Sequence, residues 1–258
     1  MDAVVLSRLL NSRKPNEVAA ARAAFAQAGP PAADIVANVL ERARKRRLRR
    51  ARLIAPLVNG GGLLTILAAL GVSLVLRTDM TDVFRGFCGD YSGQSRASMV
   101  ELEAAGLLAR WGDLRAADTL LAALDDPQAE RAEAARRALA DLLTGLDERT
   151  AATGLTIEHG ARLRRALTEE TGQSRPAHPE LALAVLHLLT RVCGLPGRAD
   201  RARFHHVLAD AGLLQNVERL SLRTNHPAIL AACRNCLPGL RLVAFGGAGA
   251  SSERIGTP

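Results

Sequence analysis

Aromatic residues make up only 3% of this 258-residue chain, with one Trp (Trp111) and one Tyr (Tyr91). β-Sandwiches and barrels fill their pleated faces with aromatic and β-branched side chains, so this scarcity argues against them. Cysteine is scarce as well: Cys88, Cys193, Cys233 and Cys236 are far below the density of a disulfide scaffold, in a chain long enough to bury a core without staples. Only Lys14 and Lys45 are lysines, and a GC-rich coding sequence is a simpler cause of that arginine bias than selection for phosphate-matching forks. No charged-then-apolar leader follows Met1 and Asp2, which gives the expectation of no secretory signal and a reducing, cytoplasmic location. Ala, Leu and Arg, strong helix formers, dominate instead. At 48% hydrophobic and 23% charged residues the chain has the means to pack a core and is not globally disordered.

The formal net charge of +8 is unevenly placed. Arg42, Arg44, Lys45, Arg46, Arg47, Arg49, Arg50 and Arg52 form a block with no acid inside it, and without those eight the remaining 26 basic residues match the 26 acidic ones. The chain is therefore neutral apart from one patch. If helical, the block points charge all round its axis, and its density favours condensation on an acidic partner, an anionic lipid surface or nucleic acid over a merely solvated helix end. No aromatic stacking partners lie near it, so any nucleic-acid binding is expected to tolerate sequence.

Residues 53–76 carry no charge and follow the basic block directly, which meets the length criterion for a membrane span with its N-terminal end inside. Pro56, Asn59, Gly60, Gly61 and Gly62 interrupt the first half, and the uninterrupted apolar run of 63–76 suits a buried core helix better. Both readings stay open.

Proline and glycine punctuate a series of helices. Pro15 opens a run that ends at Gly29, Pro30 and Pro31, and a second helix follows from Ala33 with Ile35, Val36, Val39, Leu40 and Ala43 on one face. Beyond Ala43 arginines occupy every side, so that end is expected to project into solvent or onto an anion, unable to pack on a neighbour. Residues 78–96 read as a loop with one helical turn at 83–87, and helical signal resumes at Ser98 with Val100, Leu102, Leu107 and Leu108. The clearest signal is a hairpin. One stripe (Ala117, Leu120, Leu121, Leu124) stops at Asp125, Asp126 and Pro127, and a second (Ala132, Ala135, Leu139, Leu142, Leu143) starts at once. His178, Pro179 and Glu180 open a helix ending at Gly194; short pieces at 203–208 and 213–222 flank Gly212; and Asn225, His226 and Pro227 open the last helix. Residues 246–258 are small, polar and glycine-rich and read as a disordered tail.

Four openings thus share a turn, a proline and an Ala/Leu-rich helix. Pro127, Pro179 and Pro227 are 52 and 48 residues apart, and the gap of 112 from Pro15 to Pro127 is about twice that. This is a degenerate helical repeat, longer than the ~40–47 residues usual for HEAT and armadillo units. The segment LLAALDDPQAERAEAARRALADLL resembles a HEAT repeat in its Asp-Pro turn, its Arg131 position and its Ala-rich second helix. LADAGLLQNVERLSLRTNHPAILAACRNCLPGL resembles an armadillo unit, and NGGGLLTILAAL at 59–70 resembles an armadillo opening. The resemblance implies a concave face that binds another protein; residues 78–110 and the basic block depart from it.

Few motifs carry chemistry. Cys233-x-x-Cys236 has no second pair or matched histidine spacing, so it reads as small side chains in a helix seam and not as a metal site, although His205, His206 and His226 lie near in sequence. His205 and His206, between Asp200 and Asp210, have no nucleophile or oxyanion donors to serve as a general base would require. The glycine run lacks the Lys-Ser/Thr of a phosphate loop. The expectation is an all-α protein, a right-handed α-solenoid of degenerate HEAT/armadillo-like hairpins over 1–245 with a weak break near 78–97. It would act as a non-enzymatic interaction module with no cofactor, metal or small-molecule substrate, using the eight basic residues of 42–52 for an anionic partner. A single-pass membrane protein and a sequence-tolerant nucleic-acid-binding solenoid are the alternatives.

Overall fold

The computed structural model describes residues 3–10, 14–59, 99–171, 178–195 and 212–246, and among them every regular element is helical. The helices are α1 (Ala3–Leu10), α2 (Pro15–Ala28), α3 (Ala33–Asn59), α4 (Met99–Arg110), α5 (Ala117–Ala123), α6 (Ala129–Gly145), α7 (Glu148–Gly154), α8 (Ile157–Thr171), α9 (Pro179–Cys193), α10 (Leu213–Arg223) and α11 (Pro227–Gly246). Their ends have local causes. Pro15, Pro179 and Pro227 each occupy a first helical position, where the missing N–H has no intrahelical partner to lose. Gly29 ends α2 with φ of 67°, in the left-handed region that favours glycine. Asp126 accepts from the Gln128 N–H at 2.9 Å in the turn before α6 and faces Arg131 at 3.9 Å, so the Asp-Pro turn is tied to the helix it introduces. Asp147 caps α7 by accepting from the Thr150 N–H at 3.0 Å.

The helices pack in two rows. In one, α4 lies against α6, α6 against α9 and α9 against α11; in the other, α5 lies against α8 and α8 against α10. Chain-consecutive partners cross between the rows, α5 with α6, α8 with α9 and α10 with α11, while α3 packs on α4 at the N-terminal side and α1 and α2 cover it. Leu120, Leu139, Leu142, Leu143, Leu186, Leu188 and Leu213 are fully buried between them, each contributing about 1.5–3 kcal/mol on burial. One apolar cluster runs from Leu10 to Leu240.

The expected elements at 15–28, 99–110, 114–143, 178–194, 213–222 and from 227 stand as helices, and both hairpin stripes are buried except Leu124, which is partly buried. Helix α3 differs. It continues unbroken from Ala33 through the basic block to Asn59, and its charged half packs on α4, because α4 supplies a buried acid (below). Helices α1, α7 and α8 had no counterpart in the sequence reading. Among the described residues no helix is long and apolar enough to cross a membrane, but most of 53–76 lies outside them. The turn at 83–87, the loop at 78–96, the break near 78–97, the helical piece at 203–208, Cys88, His205, His206 and the tail from 247 lie outside them as well.

Candidate functional site

Successive side chains on a helix are about 100° apart, so eight basic residues in eleven positions cannot share a face. Arg42, Lys45, Arg46 and Arg49, spaced three and four apart, form one exposed stripe on α3. Lys45 pairs with Glu41 one turn back at 3.2 Å; among the described residues Arg42, Arg46 and Arg49 have no acidic partner. Arg44 and Arg47 lie on the other side of the helix. The side chains of Arg50 and Arg52 lie outside the described residues.

Arg47 is directed at α4. Its Nε–H donates to both carboxylate oxygens of Glu101, at 3.2 and 3.0 Å, and Glu101 is fully buried while Arg47 is 23% exposed. The expectation that this end of the helix has no neighbour is therefore overturned: Arg47 does reach an anion, but one belonging to the same chain.

Arg44 and Arg47 also line a cleft of about 310 Å³ between α3, α5 and α8, whose other charged walls are Asp118 on α5 and Glu158, His159 and Arg162 on α8. His159 is held firmly. Its Nδ1 accepts from the Thr156 N–H at 3.2 Å, while the Thr156 hydroxyl accepts from the His159 N–H at 3.3 Å. This is a reciprocal capping box at the start of α8, with histidine in place of the usual Glu or Gln. A ring whose Nδ1 accepts carries its proton on Nε2, and that N–H donates to Asp118 Oδ1 at 2.8 Å. The second oxygen of Asp118 faces Arg44 Nη1 at 3.4 Å. The His159 hydrogen bond, aided by Arg44, holds the Asp118 carboxyl below its ordinary value of 3.8. Across the cleft Arg162 donates to Glu158 at 2.9 Å, one turn away on α8.

Three helices distant in sequence thus converge on one polar cleft. Sequence reading singled out Arg44 and Arg47, but only as part of a block. It missed Glu101, Asp118, His159 and Arg162, none of which departs from ordinary exposed-helix composition. The Thr-x-x-His spacing of 156–159 is the one local signal, and it lies outside the usual capping-box pattern.

The cysteine pair lies in a helix seam. Cys233 and Cys236 are fully buried in α11 where it packs on α9, beside Cys193, and an added Cβ on Gly239 would come within 2.8 Å of the Cys193 Cβ. Burial pushes the two thiols up to about 11 and about 12, so neither is a ready nucleophile. Among the described residues no group of three or more His, Cys, Asp or Glu side chains is placed to hold a metal ion.

No family model, curated protein or solved structure matches the chain.

Proposed function

We propose that the chain is an α-solenoid of degenerate HEAT/armadillo-like hairpins that works as a non-enzymatic interaction module, and that the exposed basic face of α3 engages an acidic segment of another protein. The row-by-row stacking of consecutive helix pairs supports the solenoid. The observation that carries the partner chemistry is the stripe itself: Arg42, Arg46 and Arg49 face solvent without acidic neighbours among the described residues, whereas Arg44 and Arg47 have them. Such a face accelerates encounter with an anionic surface and fixes its register. A basic face without aromatics reads charge and not sequence, which suits a run of Asp and Glu.

Fluorescence anisotropy with an Asp/Glu-rich peptide, and with a mixed-sequence DNA duplex as competitor, tests this. Binding of the peptide is expected to weaken markedly between 50 and 200 mM salt, as the Debye length shrinks to under about 10 Å. Replacing Arg42, Arg46 and Arg49 together by Ala removes three exposed charges at about 0.5 kcal/mol each, which is about tenfold in Kd. Salt-independent binding, or binding untouched by the triple change, rejects the proposal. Tighter binding of the duplex than of the peptide transfers the stripe to nucleic acid.

A further inference from the structure

We propose that the cleft between α3, α5 and α8 binds the phosphate group of a small molecule. It lies on the side of α3 away from the exposed stripe, and its occupancy does not depend on that stripe having a partner.

Arg44 and Arg47 line the cavity from α3 and Arg162 from α8, so three arginines border it from two walls. At about 310 Å³ it is at the lower end of the range of small-molecule pockets, roughly 300–1,000 Å³. Guanidinium forks match phosphate oxygens two at a time. A phosphate presents three terminal oxygens on a tetrahedral frame, which donors on opposite walls can share, whereas a carboxylate presents two in a plane.

The cleft also holds acids, and their state decides whether an anion is admitted. Arg47 is bound from behind by Glu101, which anchors that guanidinium at the edge of the cleft. Asp118 accepts from the Nε2–H of His159 at 2.8 Å, and its contact with Arg44 is the longer one, at 3.4 Å. Glu158 is 73% exposed and paired with Arg162 only through one helical turn, so it can turn into water at little cost. Two of the three arginines are therefore held by loose, exchangeable contacts, and the α8 wall that carries Arg162 is fixed by the Thr156–His159 capping box. An arriving phosphate takes over Arg44 and Arg162, leaving Asp118 on His159.

Thermal denaturation of the full chain at constant ionic strength tests this, titrating inorganic phosphate, glycerol 3-phosphate, sulfate and acetate, with ³¹P line broadening as a direct readout. Saturable stabilisation of about 3 °C is expected at tenfold excess over Kd for the phosphates, and none for acetate. A larger response to the ester than to inorganic phosphate identifies a phosphorylated small molecule as the source, and an equal response identifies free phosphate. The Arg44→Gln/Arg162→Gln double change, which removes only partly exposed ion pairs, should lower the melting temperature without ligand little and abolish both the shift and the line broadening. The Arg42→Ala/Arg46→Ala/Arg49→Ala chain should respond as the original does. Equal stabilisation by acetate, no saturable response to either phosphate, or a response that survives the double change overturns the proposal; so does a response lost only with the stripe.

Discussion

Arg47 and its neighbours in the basic block have different jobs, and one substitution separates them. Arg47→Met keeps an apolar stem of similar length and removes the guanidinium from Glu101. Glu101 is fully buried and accepts from Arg47 at 3.0 and 3.2 Å, so its carboxylate then stays in an apolar interface without that positive charge. Removing one partner of a buried pair costs about 3–5 kcal/mol. Arg47 retains 23% exposure, so water screens part of the interaction, and about 2–3 kcal/mol is expected. For a chain of this size each kcal/mol moves Tm by about 2–4 °C, hence a drop of about 5–10 °C by circular dichroism. Arg42→Ala, Arg46→Ala and Arg49→Ala, on the exposed stripe, should each stay within about 0.5 kcal/mol. Pairing Arg47→Met with Glu101→Leu replaces the ion pair by apolar contact and should recover most of the loss. A loss under about 1 kcal/mol for Arg47→Met, or a double change as unstable as the single, would refute the assignment of Arg47 to the α3–α4 interface.

The parts of the fold that were legible in the sequence are those with local causes. Pro15, Pro179 and Pro227 fall at helix starts because the missing proline N–H costs no intrahelical bond there, and the boundaries at Gly29 and Gly194 follow from the same asymmetry. The α5 and α6 stripes could be read because Leu120, Leu121, Leu139, Leu142 and Leu143 recur at helical spacing and all face inward. Helix α8 had no such signature. Of its apolar side chains only Leu163 and Leu167 are buried, Ile157 is exposed, and its cap is made by a histidine. Helix α7, ERTAATG, buries only Ala151 and Ala152, too little for a pattern.

The site was half legible for a different reason. The density of positive charge in 42–52 is a local property and stood out at once. Which of those charges is spent inside the protein is decided by residues far along the chain: Glu101 lies 54 positions from Arg47, and Asp118 lies 74 from Arg44 and 41 from His159. A charge run shows how much charge a helix carries, while its partners decide how much of it reaches solvent.

Two further outcomes follow from particular contacts. Gly112 has φ of 67°, and a Cβ there would come within 2.5 Å of the Gly145 carbonyl oxygen, at the end of α6. Gly112→Ala combines a left-handed penalty of about 1–2 kcal/mol with a backbone clash, so urea denaturation should show at least about 2 kcal/mol of destabilisation; a neutral result would mean that this turn sits apart from α6. Asp118 gives a pH signature. Its carboxyl is held below 3.8 chiefly by the His159 hydrogen bond, so the charged form is favoured in the folded chain. A depressed carboxyl stabilises the fold fully above its unfolded value and loses that contribution as pH falls through the lower, folded one. The stability gap between the original chain and Asp118→Asn should therefore still be present at about pH 4.5 and shrink below about 4. Arg47, Arg162 and Glu158 face the same cleft in both proteins, so comparing the two cancels most of their effect, while the His159 and Arg44 contacts of Asp118 are what the comparison reads. A gap that closes well above pH 4.5, or that persists undiminished to pH 2, would show that the His159 contact does not hold Asp118 in its charged form.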